Sequence, residues 1–104
     1  MRIFLDDTRE TPQGWTRTYT VAETIELLKT RQVMELSLDN DLGEGIPEGY
    51  LALNWLEETV FNDETFPVPM MMVHSSNASR VQDMNRAITS IYRMESKRAH
   101  NNGH

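Results

Sequence analysis

The sequence predicts a small three-layer α/β domain built on a mainly parallel sheet of four strands. Short apolar runs that suit strands alternate with longer segments whose apolar residues recur at helical spacing. The order of elements read in this way is β, β, α, β, α, β, α, which is typical of a sheet covered by helices. Polar clusters follow directly on three of the strands, and the carboxyl edge of such a sheet is where active sites lie.

The first part of the chain predicts two strands and a helix. Residues 2–5 form a short apolar run closed by two acids, and residues 15–19 alternate large side chains with threonines. A segment rich in turn-forming residues lies between them and should be a loop. Thr20 and Glu23 match a capping box, so a helix should start there and end near residue 30.

The middle of the chain predicts a third strand and a second helix. Residues 33–38 form the third strand. If the extended geometry persists, Ser37, Asp39 and Asp41 lie on the face opposite Leu36 and Leu38. Glycines and a proline then interrupt regular structure. The second helix should begin between residues 47 and 50, and its inward stripe should consist of Leu53, Leu56 and Val60.

The last part of the chain predicts the fourth strand and the third helix. Residues 68–73 are apolar at every position, as expected of a central parallel strand that is covered on both sides. One domain should occupy residues 1–95, and residues 96–104 have no apolar pattern and should form a flexible tail. The third helix should bury a stripe at helical spacing made of Val81, Met84, Ile88 and Ile91.

Composition narrows the class of ligand and the compartment. The formal net charge is −6, from 10 Lys and Arg against 16 Asp and Glu, which argues against a surface that coats duplex nucleic acid. We expect a small molecule as the ligand. The protein could act as a monomer or as a homodimer. The chain has no cysteine, which excludes disulfides, thiolate nucleophiles and Cys-based zinc sites. No apolar run approaches the roughly 20 residues that cross a bilayer, so we expect a cytoplasmic protein without a membrane partner.

Four aspartates follow the first and third strands, namely Asp6, Asp7, Asp39 and Asp41. Carboxylates gathered at one point repel each other unless a proton or a cation compensates them. Their hard oxygen atoms suit Mg²⁺ or Mn²⁺, so the pattern predicts a divalent metal site. In the alternative interpretation, each pair only starts a turn or caps a loop through its own backbone.

His74 ends the fourth strand, and Arg9 lies two residues beyond the first acidic pair. The imidazole could donate a proton to a leaving oxygen, withdraw one from water, ligate the metal, or serve a structural role. The guanidinium could hold a phosphate oxygen during catalysis or pair with Asp6 or Asp7 as a structural ion pair. Both are candidate catalytic residues, together with Asp39.

Ser75, Ser76 and Asn77 lie where the third helix should begin. Free backbone amides and the helix dipole favour an anion at such a position, so these residues are candidates for binding phosphate. Helix capping is their other role, and the two roles are compatible because amides that the cap leaves free remain available.

Taken together, these clusters resemble the cyclic-phosphate processing receiver-like family over roughly residues 2–92. The resemblance implies a shortened receiver fold of flavodoxin type and metal-dependent processing of cyclic phosphates on nucleotide derivatives. One departure affects a site position, because Asn40 stands where the family pattern has a histidine, which puts a proton-transfer role there in doubt. The motifs that carry the resemblance are Asp6-Asp7-Thr8-Arg9, Ser37-Leu38-Asp39-Asn40-Asp41-Leu42-Gly43 and His74-Ser75-Ser76-Asn77.

Three functions are compatible with these residues. The leading one is a metal-dependent phosphoesterase that opens a cyclic phosphate of a nucleotide or nucleotide derivative. The second is a phosphoacceptor domain that uses Asp39. A phosphorelay receiver resembling this chain would also need a lysine on a fifth strand, whereas Lys29 and Lys97 follow no predicted strand. The third is a non-enzymatic module that binds a nucleotide or a protein in the same cleft.

Overall fold

The computed structural model describes residues 1–39, 49–74 and 78–102. The predicted α/β fold and its order of elements are confirmed. None of the described helices is both long and apolar enough to cross a bilayer. The strands are Arg2–Leu5 (β1), Thr16–Thr18 (β2), Glu35–Leu38 (β3) and Met70–Val73 (β4), and the helices are Val21–Leu28 (α1), Tyr50–Asn62 (α2) and Ala78–Asn102 (α3).

The sheet formed by the described strands is parallel throughout, with the strand order β2-β1-β3-β4. This is the order of a flavodoxin-like sheet up to its fourth strand. The register aligns the carboxyl ends of three strands, because Leu5 pairs with Leu38 and Leu38 pairs with Val73. The residue that follows each of these strands therefore lies at one common edge.

A single apolar core lies between one face of the sheet and all three helices. Ile3, Leu5, Leu36 and Leu38 are fully buried in it together with side chains from α1, α2 and α3. Helix α2 packs against both α1 and α3, so the three helices form one layer. The described residues therefore form two layers, whereas the sequence predicted three.

The topology explains the missing layer. A loop rather than a helix joins β1 to its parallel neighbour β2. The two remaining crossovers, through α1 and α2, both advance in the same direction across the sheet. Right-handed crossovers that advance in one direction place their helices on one side of the sheet.

Strand β4 is an edge strand of the described sheet, and our prediction of a central strand was wrong. Its alternate residues point away from the helices, so Met70 is 61% exposed and Met72 is 38% exposed. A continuous apolar run therefore did not mark burial on both faces. On the outer side of the strand, the backbone amide of Met71 donates a hydrogen bond to the Tyr92 hydroxyl at 2.7 Å.

The predicted signals at the ends and faces of the first two helices are present. The Thr20 hydroxyl accepts a hydrogen bond from the Glu23 amide at 3.1 Å, which caps α1. The Glu23 carboxylate accepts a bond from the Tyr19 amide, one residue earlier than a capping box requires. The predicted inward stripe of α2 is buried, and it consists of Leu53, Leu56 and Val60.

Helix α3 is longer than the sequence predicted. It continues to Asn102, whereas we expected a flexible tail to begin at residue 96. The guanidinium of Arg98 donates hydrogen bonds to the carbonyl oxygens of Asp63 and Phe66. This helix therefore contacts the segment between α2 and β4 beyond its apolar stripe, which patterning of apolar residues could not reveal.

Candidate functional site

The parallel register brings together three of the predicted site residues. Asp6, Asp39 and His74 each follow a neighbouring strand, and the backbone amides of Asp39 and His74 each bond back to the adjacent strand at 3.0 Å. One potential ligand atom from each side chain lies within 4.8 Å of the other two. Asp6 and Asp39 are buried, and His74 is half-buried. We call these three residues the carboxyl-edge cluster.

Asp6 fixes the loop that follows β1. Its Oδ1 atom accepts hydrogen bonds from the backbone amides of Thr8 at 2.8 Å and Arg9 at 2.9 Å. The side chain of Arg17, on β2, braces the same turn by donating to the Asp6 carbonyl oxygen at 3.2 Å. Burial alone would raise the pKa of Asp6, but the amide bonds and the nearby His74 together lower it below the usual value.

His74 is held by contacts on three sides. Its Nε2 atom lies 3.1 Å from Asp6 Oδ2, and its Nδ1 atom lies 2.7 Å from Ser37 Oγ. The imidazole stacks on the ring of Phe4, with centroids 4.4 Å apart and an interplanar angle of 4°, and Trp15 contacts Phe4 edge-on. Burial lowers the pKa of His74 below its usual value, although the carboxylates of Asp6 and Asp39 act in the opposite direction.

Arg9 and Asp7 flank the cluster in different ways. The Arg9 guanidinium lies 3.8 Å from Asp6 Oδ2 and also donates a hydrogen bond to the carbonyl oxygen of His74. Asp7 does not belong to the group of three that the described residues form. Its Oδ1 atom is nevertheless buried and has no hydrogen-bond partner among the residues described. A buried carboxylate oxygen without a hydrogen-bond partner is stabilised when a cation or a hydrogen-bond donor binds to it.

Five positions singled out in the sequence lie outside the described residues. They include Asn40 and Asp41, after β3, and the three candidates for phosphate binding. Their roles therefore stay predictions. The phosphate candidates are Ser75, Ser76 and Asn77, which directly precede Ala78 at the start of α3.

The sequence analysis assigned no site role to two residues that hold His74 in place, namely Ser37 and Phe4. Ser37 lies two positions before Asp39, and Phe4 lies two positions before Asp6, so each shares a face of its strand with a cluster acid. That spacing was a usable signal. Without the strand order, however, it could not show that His74 lies beside both residues.

The donor set of the cluster fits a divalent cation. Two carboxylates and one imidazole can converge on a single point because their ligand atoms are already close together. The carboxylates suit Mg²⁺ and Mn²⁺, whereas an imidazole nitrogen is more typical of Mn²⁺ and later transition metals than of Mg²⁺. The buried Oδ1 of Asp7 adds a further acceptor nearby. These residues could hold a cation at the carboxyl edge of the sheet.

The pKa of His74 predicts how stability depends on pH in protein treated with a chelator. An unfolded histidine has a pKa of about 6.5, and the folded value is lower, so acidification protonates the unfolded state first. The free energy of unfolding should be at its full value above pH 6.5 and should fall as the pH drops from there to the folded pKa. Its slope should not exceed about 1.4 kcal/mol per pH unit.

Urea unfolding between pH 5 and 7.5 measures this dependence, with His74→Gln as the comparison. The variant should show a flatter profile over that range. A second decrease in the free energy of unfolding should begin only near pH 4. The pKa of Asp6 is lower in the folded state, so acid protonates Asp6 of the unfolded state first. A profile for His74→Gln that matches the wild type would contradict the assignment to His74.

One of three comparisons with known proteins found a match. A search of the curated proteins and a search of the solved structures each found no match. The family model described as "Cyclic-phosphate processing Receiver domain" matches residues 1–90. That match spans β1 to β4 and the start of α3, and it includes every residue of the carboxyl-edge cluster. The chain therefore belongs to the cyclic-phosphate processing receiver domain family.

Proposed function

We propose that the protein is a metal-dependent phosphoesterase that opens a cyclic phosphate on a nucleotide or nucleotide derivative. The observation that carries this proposal is the carboxyl-edge cluster, whose three potential ligand atoms lie within 4.8 Å of one another. The family match supports a cyclic phosphate as the class of substrate, since the family is described by cyclic-phosphate processing. The carboxyl edge of a parallel sheet is a common location for active sites, and catalytic residues often form clusters of this kind.

Asp6, Asp39 and His74 are the residues that would hold the cation, which we take to be Mn²⁺ or Mg²⁺. When bound there, it would supply a Lewis acid that polarises a phosphoryl oxygen and makes a nearby water more acidic. His74 suits the role of ligand because its lowered pKa keeps the imidazole neutral near pH 7. Because the imidazole is mostly neutral near pH 7, little of it is protonated and able to donate to a departing oxygen, which is one of the roles that the sequence suggested.

Arg9 supplies positive charge for the phosphate. Its side chain is 47% exposed, and its two contacts in the cluster leave further N–H groups of the guanidinium for a ligand. Ser75, Ser76 and Asn77 would add amide donors at the start of α3.

In the reaction, an oxygen of water forms a bond to phosphorus and one ring P–O bond breaks. The departing sugar oxygen takes up a proton, and the product is a phosphomonoester.

The test is to incubate the metal-free protein with Mn²⁺ or Mg²⁺ and a panel of 2′,3′-cyclic, 3′,5′-cyclic and cyclic oligonucleotide phosphates. ³¹P NMR distinguishes the cyclic ester from the opened monoester. We expect ring opening only when a divalent cation is present, and we expect Asp39→Asn to remove it. Asp83→Asn is the matched control, because Asp83 lies on α3 in an exposed ion pair with Arg86 and should leave the reaction unchanged.

Other outcomes of the same experiment favour the other functions. Tight binding with the cyclic phosphate recovered intact would replace catalysis by sequestration. Labelling of Asp39 by a small phosphodonor would favour a phosphoacceptor domain. The second outcome is disfavoured by Tyr92, whose hydroxyl bonds the outer amide of β4 where a fifth strand would pair.

A further inference from the structure

Both ring nitrogens of His74 already have partners, one on each side of the imidazole. Nε2 lies 3.1 Å from Asp6 Oδ2, inside the carboxyl-edge cluster, and Nδ1 lies 2.7 Å from Ser37 Oγ, outside it. Stacking on Phe4 fixes the plane of the ring. With the plane fixed, the main freedom left to this side chain is which nitrogen carries the proton.

The proton has a different place with and without a cation. A neutral imidazole has one N–H, and an ionised carboxylate can only accept. In the metal-free protein Nε2 must therefore carry the proton and donate it to Asp6, while Nδ1 accepts from the Ser37 hydroxyl. When Nε2 ligates a cation its lone pair has to be free, so the proton must lie on Nδ1 and the hydroxyl must accept.

We propose that Ser37 is a positioning residue that lets His74 exchange tautomers when the cation binds. The serine hydroxyl suits both states because rotation about its Cβ–Oγ bond converts it from donor to acceptor. The exchange is balanced, since Nε2 releases one proton to solvent and Nδ1 takes one up, leaving the imidazole neutral throughout. The inference rests on the cation site of the proposed function.

The surroundings of Ser37 make it hard to replace. The residue is only 6% exposed, so water has little access to substitute for its hydroxyl. Loss of the hydroxyl would leave Nδ1 without this partner in both tautomers, as an unpaired acceptor in one and an unpaired donor in the other. Outer partners of ligating histidines typically change metal affinity by about 10- to 100-fold when removed.

The tautomers can be read directly in the unaltered protein. Long-range ¹H–¹⁵N spectra of protein labelled at histidine identify which ring nitrogen is protonated, and His74→Gln assigns the signals among the three histidines. We expect the Nε2–H form in chelator-treated protein and the Nδ1–H form after Zn²⁺, a diamagnetic probe, is added. An Nδ1–H form without metal, or an Nε2–H form that persists with Zn²⁺, would overturn the proposal.

Substitutions at position 37 provide a second measurement. Mn²⁺ affinity, followed by the electron paramagnetic resonance of the free ion, should fall about 10- to 100-fold in Ser37→Ala. Ser37→Thr keeps the hydroxyl and should stay within a few-fold of the wild type, as should the control Ser90→Ala on α3. Mn²⁺ affinity in Ser37→Ala equal to that of the wild type would exclude the role.

The outcome also separates this inference from the function on which it rests. If Asp39→Asn leaves Mn²⁺ affinity unchanged, the cation site itself is wrong. If Asp39→Asn abolishes binding and Ser37→Ala does not weaken it, only the role of Ser37 fails. Thermal unfolding of Ser37→Ala in chelator shows whether the variant is folded before its affinity is compared.

Discussion

Asp39→Asn is expected to stabilise the metal-free protein and to abolish the additional stability that Mn²⁺ confers. Asp6 and Asp39 are both buried, and a carboxylate oxygen of each lies within 4.8 Å of the other. Two unit charges at about that distance repel by about 3 kcal/mol at an effective dielectric constant near 20. The substitution removes one charge and keeps an oxygen acceptor and nearly the same volume, so relief of repulsion should prevail.

The response to metal should change in the opposite direction. At a Mn²⁺ concentration about 100 times the dissociation constant, the wild type should gain about 2.7 kcal/mol, or roughly 10–20 °C in melting temperature. Asp39→Asn should gain little, because a carboxamide is a weak ligand compared with a carboxylate. Thermal unfolding with and without Mn²⁺ measures both effects, with Asp83→Asn as the control. Equal gains in wild type and Asp39→Asn would exclude Asp39 as a ligand.

Leu56→Ala should cause a large loss of stability. Leu56 is fully buried in the single core, to which α1, α2 and α3 all contribute side chains. Truncation of a buried leucine typically costs about 2–5 kcal/mol, through lost burial and the cavity that remains. The whole free energy of unfolding of a domain this size is only about 5–15 kcal/mol, so a large part of it would be lost.

Leu51→Ala on the same helix is the matched comparison. Leu51 is 46% exposed on the outer side of α2, so the same change in side chain should cost well under half as much. Urea unfolding monitored by tryptophan fluorescence gives both values. Similar losses for the two variants would mean that α2 does not bury the face assigned to it.

Local patterns were sufficient to predict the elements of this fold. The Thr20 cap, the stripe of α2 and the apolar runs of the strands each act over a few residues, so the sequence shows them directly. Layering and strand position depend on how the strands are ordered, which no local pattern encodes. The edge position of β4 and the single layer of helices were missed for that reason.

The same distinction applies to the candidate site. Asp6, Asp39 and His74 were expected to converge because parallel strands end at one edge, and the structure brings them together. The partners of His74 were not predicted, because they depend on which strands are neighbours and on how the imidazole lies. The continuation of α3 through Arg98 was missed because a side chain that bonds to carbonyl oxygens leaves no apolar periodicity.

The bond between Tyr92 and the Met71 amide bears on self-association. Strand β4 is rich in methionine and free of charged side chains, and both properties favour templated addition of another chain at an open edge. An incoming strand would first have to displace a phenol hydroxyl that already satisfies the amide in the middle of that edge. One side chain from α3 thus occupies a pairing position on this edge of the described sheet without placing a charge beside the core.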